Sequence, residues 1–502
     1  MGRLRNKSAL TILCAVAILN PFLFYSCRVT FTFIDTAVFN GFTHLILLLM
    51  LANTALWIFL CAKKTVSDKS FKRLCICGIV FNALFVAVNV AFAVAGASEL
   101  HTYYYYFTRE LPYIGVAFLT YFTLLVLPDI KSGAKKAVSA VLTVSVLVSL
   151  ISVGFTVGKF EFTSAPVVFI TDDPETYSVV WSTSERATGH IEYTYNGIEY
   201  KIYDTLSGNI RSDSKIHTVS VPREQLDGNT YSVSSQRVWE HLGYSTVLGK
   251  TLSSEKSTLR AYTEGAELSV TVFSDWHDQE GRAVATANAM QRQPDLFVIL
   301  GDPVNMLNKA DDISESILFA AGEISHSSCP TVYVRGNHET RGEYASHLLG
   351  HLGIGSFYYK FSWGPLCAVV LDTAEDKADN HTEYGGLAAF EPYKNEQTKW
   401  LENTCFDDNA SYKLVFKHIP DAPESWDEPL AGLGADMMVS GHEHTAKINP
   451  PDARHPYPTV IDGGKTDGDF CGTLLVFSGN TASVSFYKRA GLVSEEKITL
   501  VR

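Results

Sequence analysis

The chain has 502 residues, is 46% hydrophobic and carries a formal net charge of −12. That length suits two to four domains, and an acidic balance is a poor electrostatic match for nucleic acid, so no basic nucleic-acid patch is expected. The charge is unevenly divided: residues 1–160 are net +9 and the rest net −21, which points to two unlike parts.

In chain order, the first part holds five apolar runs: Ala9–Tyr25, Phe42–Ala62, Leu74–Ala97, Tyr113–Leu127 and Ala137–Val157. None contains Asp, Glu, Lys or Arg, and each approaches the length that crosses a hydrocarbon core of about 30 Å. Residues 1–159 are therefore expected to form an α-helical membrane region in contact with the lipid bilayer. Arg3, Arg5 and Lys7, then Lys63, Lys64, Lys69, Lys72 and Arg73, then Lys131, Lys135 and Lys136 fall on one side of these runs. The opposite loops carry only Arg28 and Arg109. The positive-inside rule places the N-terminus in the cytoplasm, and an odd number of spans places everything after Val157 outside it. The expectation is a multi-pass cell-membrane protein. A cleaved signal peptide fits the first run poorly, because no small-residue cleavage site comes after it.

From 160 to 264 the pattern is short strands and turns, as in a fibronectin-type β-sandwich. Ser178–Ser182 reads as a strand. Ile191–Tyr195 and Ile198–Ile202 flank Asn196-Gly197, a pair suited to the positive φ of a type I′ turn. Leu226-Asp227-Gly228-Asn229-Thr230-Tyr231 looks like a tyrosine corner. This region contains no cluster of metal-ligand residues and reads as a packing partner for the C-terminal region.

From 265 to 502 apolar strands alternate with helical stretches, so an α/β layered domain is expected. Each polar cluster comes directly after a strand. Leu268–Phe273 leads into Asp275-Trp276-His277, and Asp295–Leu300 into Gly301-Asp302. Thr331–Val334 leads into Arg335-Gly336-Asn337-His338-Glu339, Lys413–Phe416 into His418, and Asp436–Val439 into Gly441-His442-Glu443-His444. Strand ends of an open α/β sheet converge on one crevice. Imidazoles and carboxylates gathered there suit Zn, Fe or Mn, and one carboxylate can bridge two cations. Cys329, Cys367, Cys405 and Cys471 lack metal-site spacing and are either disulfide-bonded or buried thiols.

The series D-x-H, G-D, G-N-H-E, a lone His and G-H-x-H resembles the calcineurin-like metallophosphoesterase family over about residues 267–480. The segment from Ala165-Pro166-Val167 to Trp181, with Gly189–Tyr193, resembles the N-terminal domain of purple acid phosphatases. The resemblance implies a four-layer α/β domain with two divalent or trivalent metal ions. Asp275, His277 and His444 would hold the first, Asn337, His418 and His442 the second, and Asp302 would bridge them. It further implies phosphoester hydrolysis by metal-hydroxide attack, with His338 assisting the leaving group. Asn305 stands where relatives have an acid that orients this histidine, or a tyrosine that colours the purple enzymes. A purple Fe(III)-tyrosinate centre is therefore not expected. Asn305 and Arg335 are candidates to support the site or contact phosphate, and Glu339 to hold the turn. Two other classes compete: a non-catalytic metal-binding sensor, and a transporter with a regulatory domain. The intact motif set with His338 favours the enzyme, and no motif sets the substrate or the oligomeric state.

Overall fold

The computed structural model describes residues 160–500 apart from Gly243, Tyr244 and Asp467, together with isolated positions between residues 52 and 84. The chain divides into two units, Met1–Lys159 with Arg237–Lys250, and Phe160–Gln236 with Thr251–Arg502. The second unit is mixed α/β and carries the polar clusters. The expected α-helical membrane region is corrected: no helix among the described residues is long and apolar enough to cross a membrane. Apart from isolated positions, the five expected spans lie outside the described residues.

Nine strands precede residue 264: β1 (Val167–Ile170), β2 (Thr176–Tyr195), β3 (Ile198–Tyr203), β4 (Thr205–Leu206), β5 (Ile210–Arg211), β6 (Ser214–Pro222), β7 (Thr230–Leu242), β8 (Ser245–Ser253) and β9 (Ser257–Thr258). Next come β10 (Leu268–Phe273), β11 (Leu296–Leu300), β12 (Pro330–Val334), β13 (Tyr359–Trp363), β14 (Leu366–Leu371), β15 (Tyr412–Lys417) and β16 (Met437–Ser440). The last are β17 (Lys447–Asn449), β18 (Thr459–Ile461), β19 (Gly464–Thr466), β20 (Asp469–Ser478), β21 (Thr481–Lys488) and β22 (Gly491–Thr499).

The expected fibronectin-type β-sandwich is also corrected, since the strands of this region, β4 and β5 apart, do not form sheets of their own. One sheet runs β22-β21-β20-β10-β11-β12-β1-β2-β7-β8, so the middle region extends the sheet that bears the site motifs. The junction is parallel, with Val168 opposite Pro330 and Phe169 opposite Thr331. The cause is visible in β1, whose four residues Val-Val-Phe-Ile are all fully buried. A strand without polar alternation needs cover on both faces and partners on both edges, and β12 and β2 supply the edges. Tyr231 makes no local corner: its hydroxyl donates to the Ser327 carbonyl at 2.8 Å, beyond β11. The β2–β3 hairpin closes on Asn196 and Gly197, with φ of 51° and 77°, as the Asn-Gly pair demands.

The second sheet runs β13-β14-β15-β16-β18-β17, parallel from β14 to β18. Its two faces divide by the period of two expected of a strand. Leu366, Ala368, Val370, Leu414, Phe416 and Val439 join the core that also contains β10, β11 and β12. Cys367, Val369, Leu371, Val415 and Met438 face the other way, against Leu401, Trp426 and Leu430. Both central β-layers are thus buried, and the C-terminal ends of β10, β11, β12, β15 and β16 carry the polar turns.

Candidate metal centre

The strand ends after β10, β11 and β16 turn sharply at the residues that matter. Asp275, His277, Asp302, His442 and His444 all have φ between 43° and 70°, the left-handed region that side chains other than Gly seldom adopt. Asp275 N–H donates to the Gly301 carbonyl at 2.9 Å, and His277 N–H to the Asp302 carbonyl at 3.1 Å. Gly301 has φ +89°, and a Cβ there would stand 2.5 Å from His418 Nδ1. At Gly336 a Cβ would collide with the Asp302 carboxylate and main-chain nitrogen. Glycine at these two positions permits the close approach of strand ends.

The side chains form two overlapping clusters. Asp275, His277 and His444 bring ligand atoms within 4.8 Å of one another, as do Asp302, His418 and His442. His338 forms a third such group with His277 and Asp302. Asp302 Oδ2 stands 3.2 Å from His418 Nε2, 3.8 Å from His338 Nε2 and 3.9 Å from His277 Nε2. Six of the seven ligand candidates named from the sequence, with His338, are therefore in one place, and the Asn337 amide joins them beside Asp302 and His442.

Main-chain carbonyls set the imidazole tautomers. His418 Nδ1 lies 2.7 Å from the Leu300 carbonyl, His444 Nδ1 2.8 Å from that of Lys465, and His338 Nδ1 2.8 Å from that of Asn305. A carbonyl only accepts, so each Nδ1 carries hydrogen and each Nε2 is the nitrogen turned inward, the one that would offer a lone pair to a cation. Burial alone lowers the basicity of His418, but Asp302 and Asp275 outweigh it and hold His418 up to about 10. Despite burial, both carboxylates sit below their ordinary range, with the His418 charge the main cause.

Two observations test whether cations fit. Asp275 Oδ1 is buried without a hydrogen-bond partner, although the Nε2 atoms of His444, His277 and His418 stand 3.4, 3.8 and 3.8 Å away. The Asn337 amide oxygen faces acceptors and its nitrogen faces donors. Exchanging the two would give hydrogen bonds to Asp302 Oδ2 at 3.2 Å, to His442 Nδ1 at 3.3 Å and from Arg341 Nη2 at 2.8 Å. An amide oxygen set against a carboxylate and an imidazole is unfavourable in protein alone and favourable around a cation. The residues fit a metal pair.

Three supporting residues behave differently from one another. Glu339 is fully buried and accepts from Asp302 N–H at 3.0 Å, Gly336 N–H at 3.1 Å and Tyr333 OH at 2.8 Å, so it ties two site turns together. Burial, with Asp302 beside it, pushes Glu339 up to about 8. The Asn305 side chain donates to Asp278 Oδ2 at 2.6 Å, and only the Asn305 carbonyl meets His338. Arg335 is paired with Asp372 at 2.5 Å and packed 4.2 Å from the Phe357 ring centroid, so its charge is turned from the cluster. Sequence reasoning missed Asp462, which accepts from Ser274 N–H at 2.8 Å and Ser274 Oγ at 2.9 Å, next to Asp275. Its signal was present: an apolar strand leading into Asp-Gly-Gly. It also missed Arg341 and Glu375, which no local pattern marks.

Residues 268–446 match the calcineurin-like phosphoesterase family. Among solved structures, the purple acid phosphatase PPD1 from yellow lupin (Lupinus luteus) seeds is similar at 14% identity and TM-score 0.46, over 67% of this chain and 74% of that one. A structure of PhoD is similar at 12% identity and TM-score 0.44, over 69% of this chain and 93% of that one. No curated protein matches the chain.

Proposed function

We propose that this chain, a metal-dependent phosphoesterase with a calcineurin-like phosphoesterase domain, hydrolyses phosphate esters, that Asp275, His277, Asp302, Asn337, His418, His442 and His444 would hold its two cations, and that His338 serves the leaving oxygen. The observation that carries the reading is the pair of donor clusters meeting at Asp302 with His338 beside them. When bound, the cations supply Lewis acidity and nucleophilic water near neutral pH. The chain's own groups do the rest. The Asn305 carbonyl keeps hydrogen on His338 Nδ1 and leaves Nε2 as the atom that exchanges a proton with the leaving oxygen. His338 N–H donates to Asp302 Oδ1 at 2.9 Å, which holds that imidazole in register with the carboxylate. The nitrogen and oxygen donors suit Zn, Fe or Mn, and Asn305, standing where the purple enzymes have tyrosine, supports a centre without Fe(III)-tyrosinate.

The test uses the full-length chain: metal content, then hydrolysis of p-nitrophenyl phosphate and bis-p-nitrophenyl phosphate with and without chelator. About two metals per chain and chelator-sensitive turnover are expected. His338→Ala should keep the metals and lose about 10²–10⁴-fold in kcat. Metals without turnover on any ester tried would leave the sensor reading instead.

We further propose that residues 1–159 hold the chain at a membrane with the phosphoesterase domain outside the cytoplasm. The support is the apolar content of that segment and its one-sided basic residues. Protease added to intact cells should then cleave a C-terminal tag. Protection until lysis would sink the idea.

A further inference from the structure

Arg341 comes directly after the short turn His338–Thr340 and is held along one edge. Its Nε donates to Glu375 Oε1 at 2.6 Å and its Nη2 to Oε2 at 3.0 Å. Glu375 is 1% exposed and also accepts from Thr340 Oγ1 at 3.2 Å, while its carbonyl accepts from Lys394 Nζ at 2.6 Å. A bidentate fork on a buried carboxylate fixes the guanidinium plane.

The other edge is differently placed. Arg341 Nη1 stands 3.0 Å from His338 Nε2 and 3.3 Å from Nδ1. Nδ1 is already committed to the Asn305 carbonyl, so Nε2 is the one ring acceptor that Nη1 meets. Arg341 Nη2 also stands 2.8 Å from the Asn337 side-chain nitrogen when the amide oxygen faces Asp302 and His442, the orientation a cation requires. There, two donors oppose each other. Arg341 Nη1, Arg341 Nη2 and Asn337 Nδ2 thus converge beside His338, whose Nε2, 3.8 Å from Asp302, is a single neutral acceptor for three donors. Converging donors are matched by an anionic oxygen.

We propose that Arg341, held by Glu375, receives a terminal oxygen of the substrate's phosphoryl group and makes the site prefer phosphomonoesters to phosphodiesters. A monoester offers one more terminal oxygen and one more negative charge than a diester, so a fixed guanidinium gains more from it. This deepens the phosphoesterase reading above and rests on it.

The test compares full-length wild type, Arg341→Ala, Arg341→Lys and Glu375→Gln at equal metal content. The readouts are KM and kcat on p-nitrophenyl phosphate and bis-p-nitrophenyl phosphate, and calorimetric affinity for inorganic phosphate. Arg341→Ala should raise the monoester KM and weaken phosphate binding by about tenfold to a hundredfold, the size of a lost charge-assisted hydrogen bond. Its kcat should change far less, and the monoester-to-diester ratio of kcat/KM should fall. Arg341→Lys should restore part of the phosphate affinity, and Glu375→Gln should lose part of it. Unchanged phosphate affinity and ester ratio in Arg341→Ala overturn the proposal, and so does a fall confined to kcat. If Arg341→Ala does not fold, wild-type phosphate affinity in both Arg341→Lys and Glu375→Gln overturns it. Absence of wild-type turnover counts against the phosphoesterase reading, while the phosphate comparison still decides the role of Arg341.

Discussion

Left-handed backbone at Asp275, His277, Asp302, His442 and His444 costs about 1–3 kcal/mol at each such residue. It persists because the fold over-determines it: His442 N–H donates to Asp275 Oδ2 at 2.9 Å, and Asp302 N–H to Glu339 at 3.0 Å. Site geometry is therefore sensitive to single atoms. Gly336→Ala should leave the fold intact but displace the Asp302 carboxylate, weakening metal affinity by about 10–100-fold, the scale seen when a ligand's support is lost. Circular dichroism with metal analysis checks this, and two metals with normal turnover would refute the steric argument. A second expectation concerns protons. His418, held up to about 10 by Asp302 and Asp275 against burial, carries a proton at pH 7 before metal loading. A metal ligand must offer a lone pair, so loading should release about one proton, and affinity should climb as pH rises towards 10. Calorimetric titration of Zn²⁺ or Mn²⁺ in buffers of different ionisation enthalpy reads the number. No release would mean that His418 is not a ligand.

At the scale of elements, β1 decides the architecture. It closes the edge of β12 by parallel pairing and lies fully buried. A chain beginning at residue 265 would leave Pro330–Val334 as an exposed apolar edge, a template for association. Such a chain should aggregate, whereas one beginning at residue 160 should elute as a discrete species on size exclusion. A soluble, metal-loaded product from the shorter chain would refute the need for β1. The strand-to-turn junctions were legible because each couples an apolar run to a polar cluster within a few residues. The β1–β12 partnership was not, because period-two patterning states which face is buried and says nothing of which strand lies alongside.

The second unit, taken whole, has a continuous core from Val167 and Trp181 through β10, β11 and β12 to Phe486. The middle β region and the site should therefore melt together. Saturating metal at about a hundred times its dissociation constant should add about 2.7 kcal/mol, so chelation should lower the midpoint of one shared transition. Two transitions, one of them insensitive to chelator, would show the middle region folding separately. From sequence alone came the order of the motifs, the residues that gather at the strand ends and the enzyme class, because ligand-rich turns after apolar strands are local patterns. Tertiary structure decided what lies far apart in the chain. It joined the middle strands to the site-bearing sheet, gave His338 the Asn305 carbonyl rather than its side chain, turned Arg335 to Asp372, and set Arg341 on Glu375 at the edge of the site. The physical reason is range: a turn is built by neighbours in sequence, whereas a partner across the crevice is chosen by the packing of two sheets.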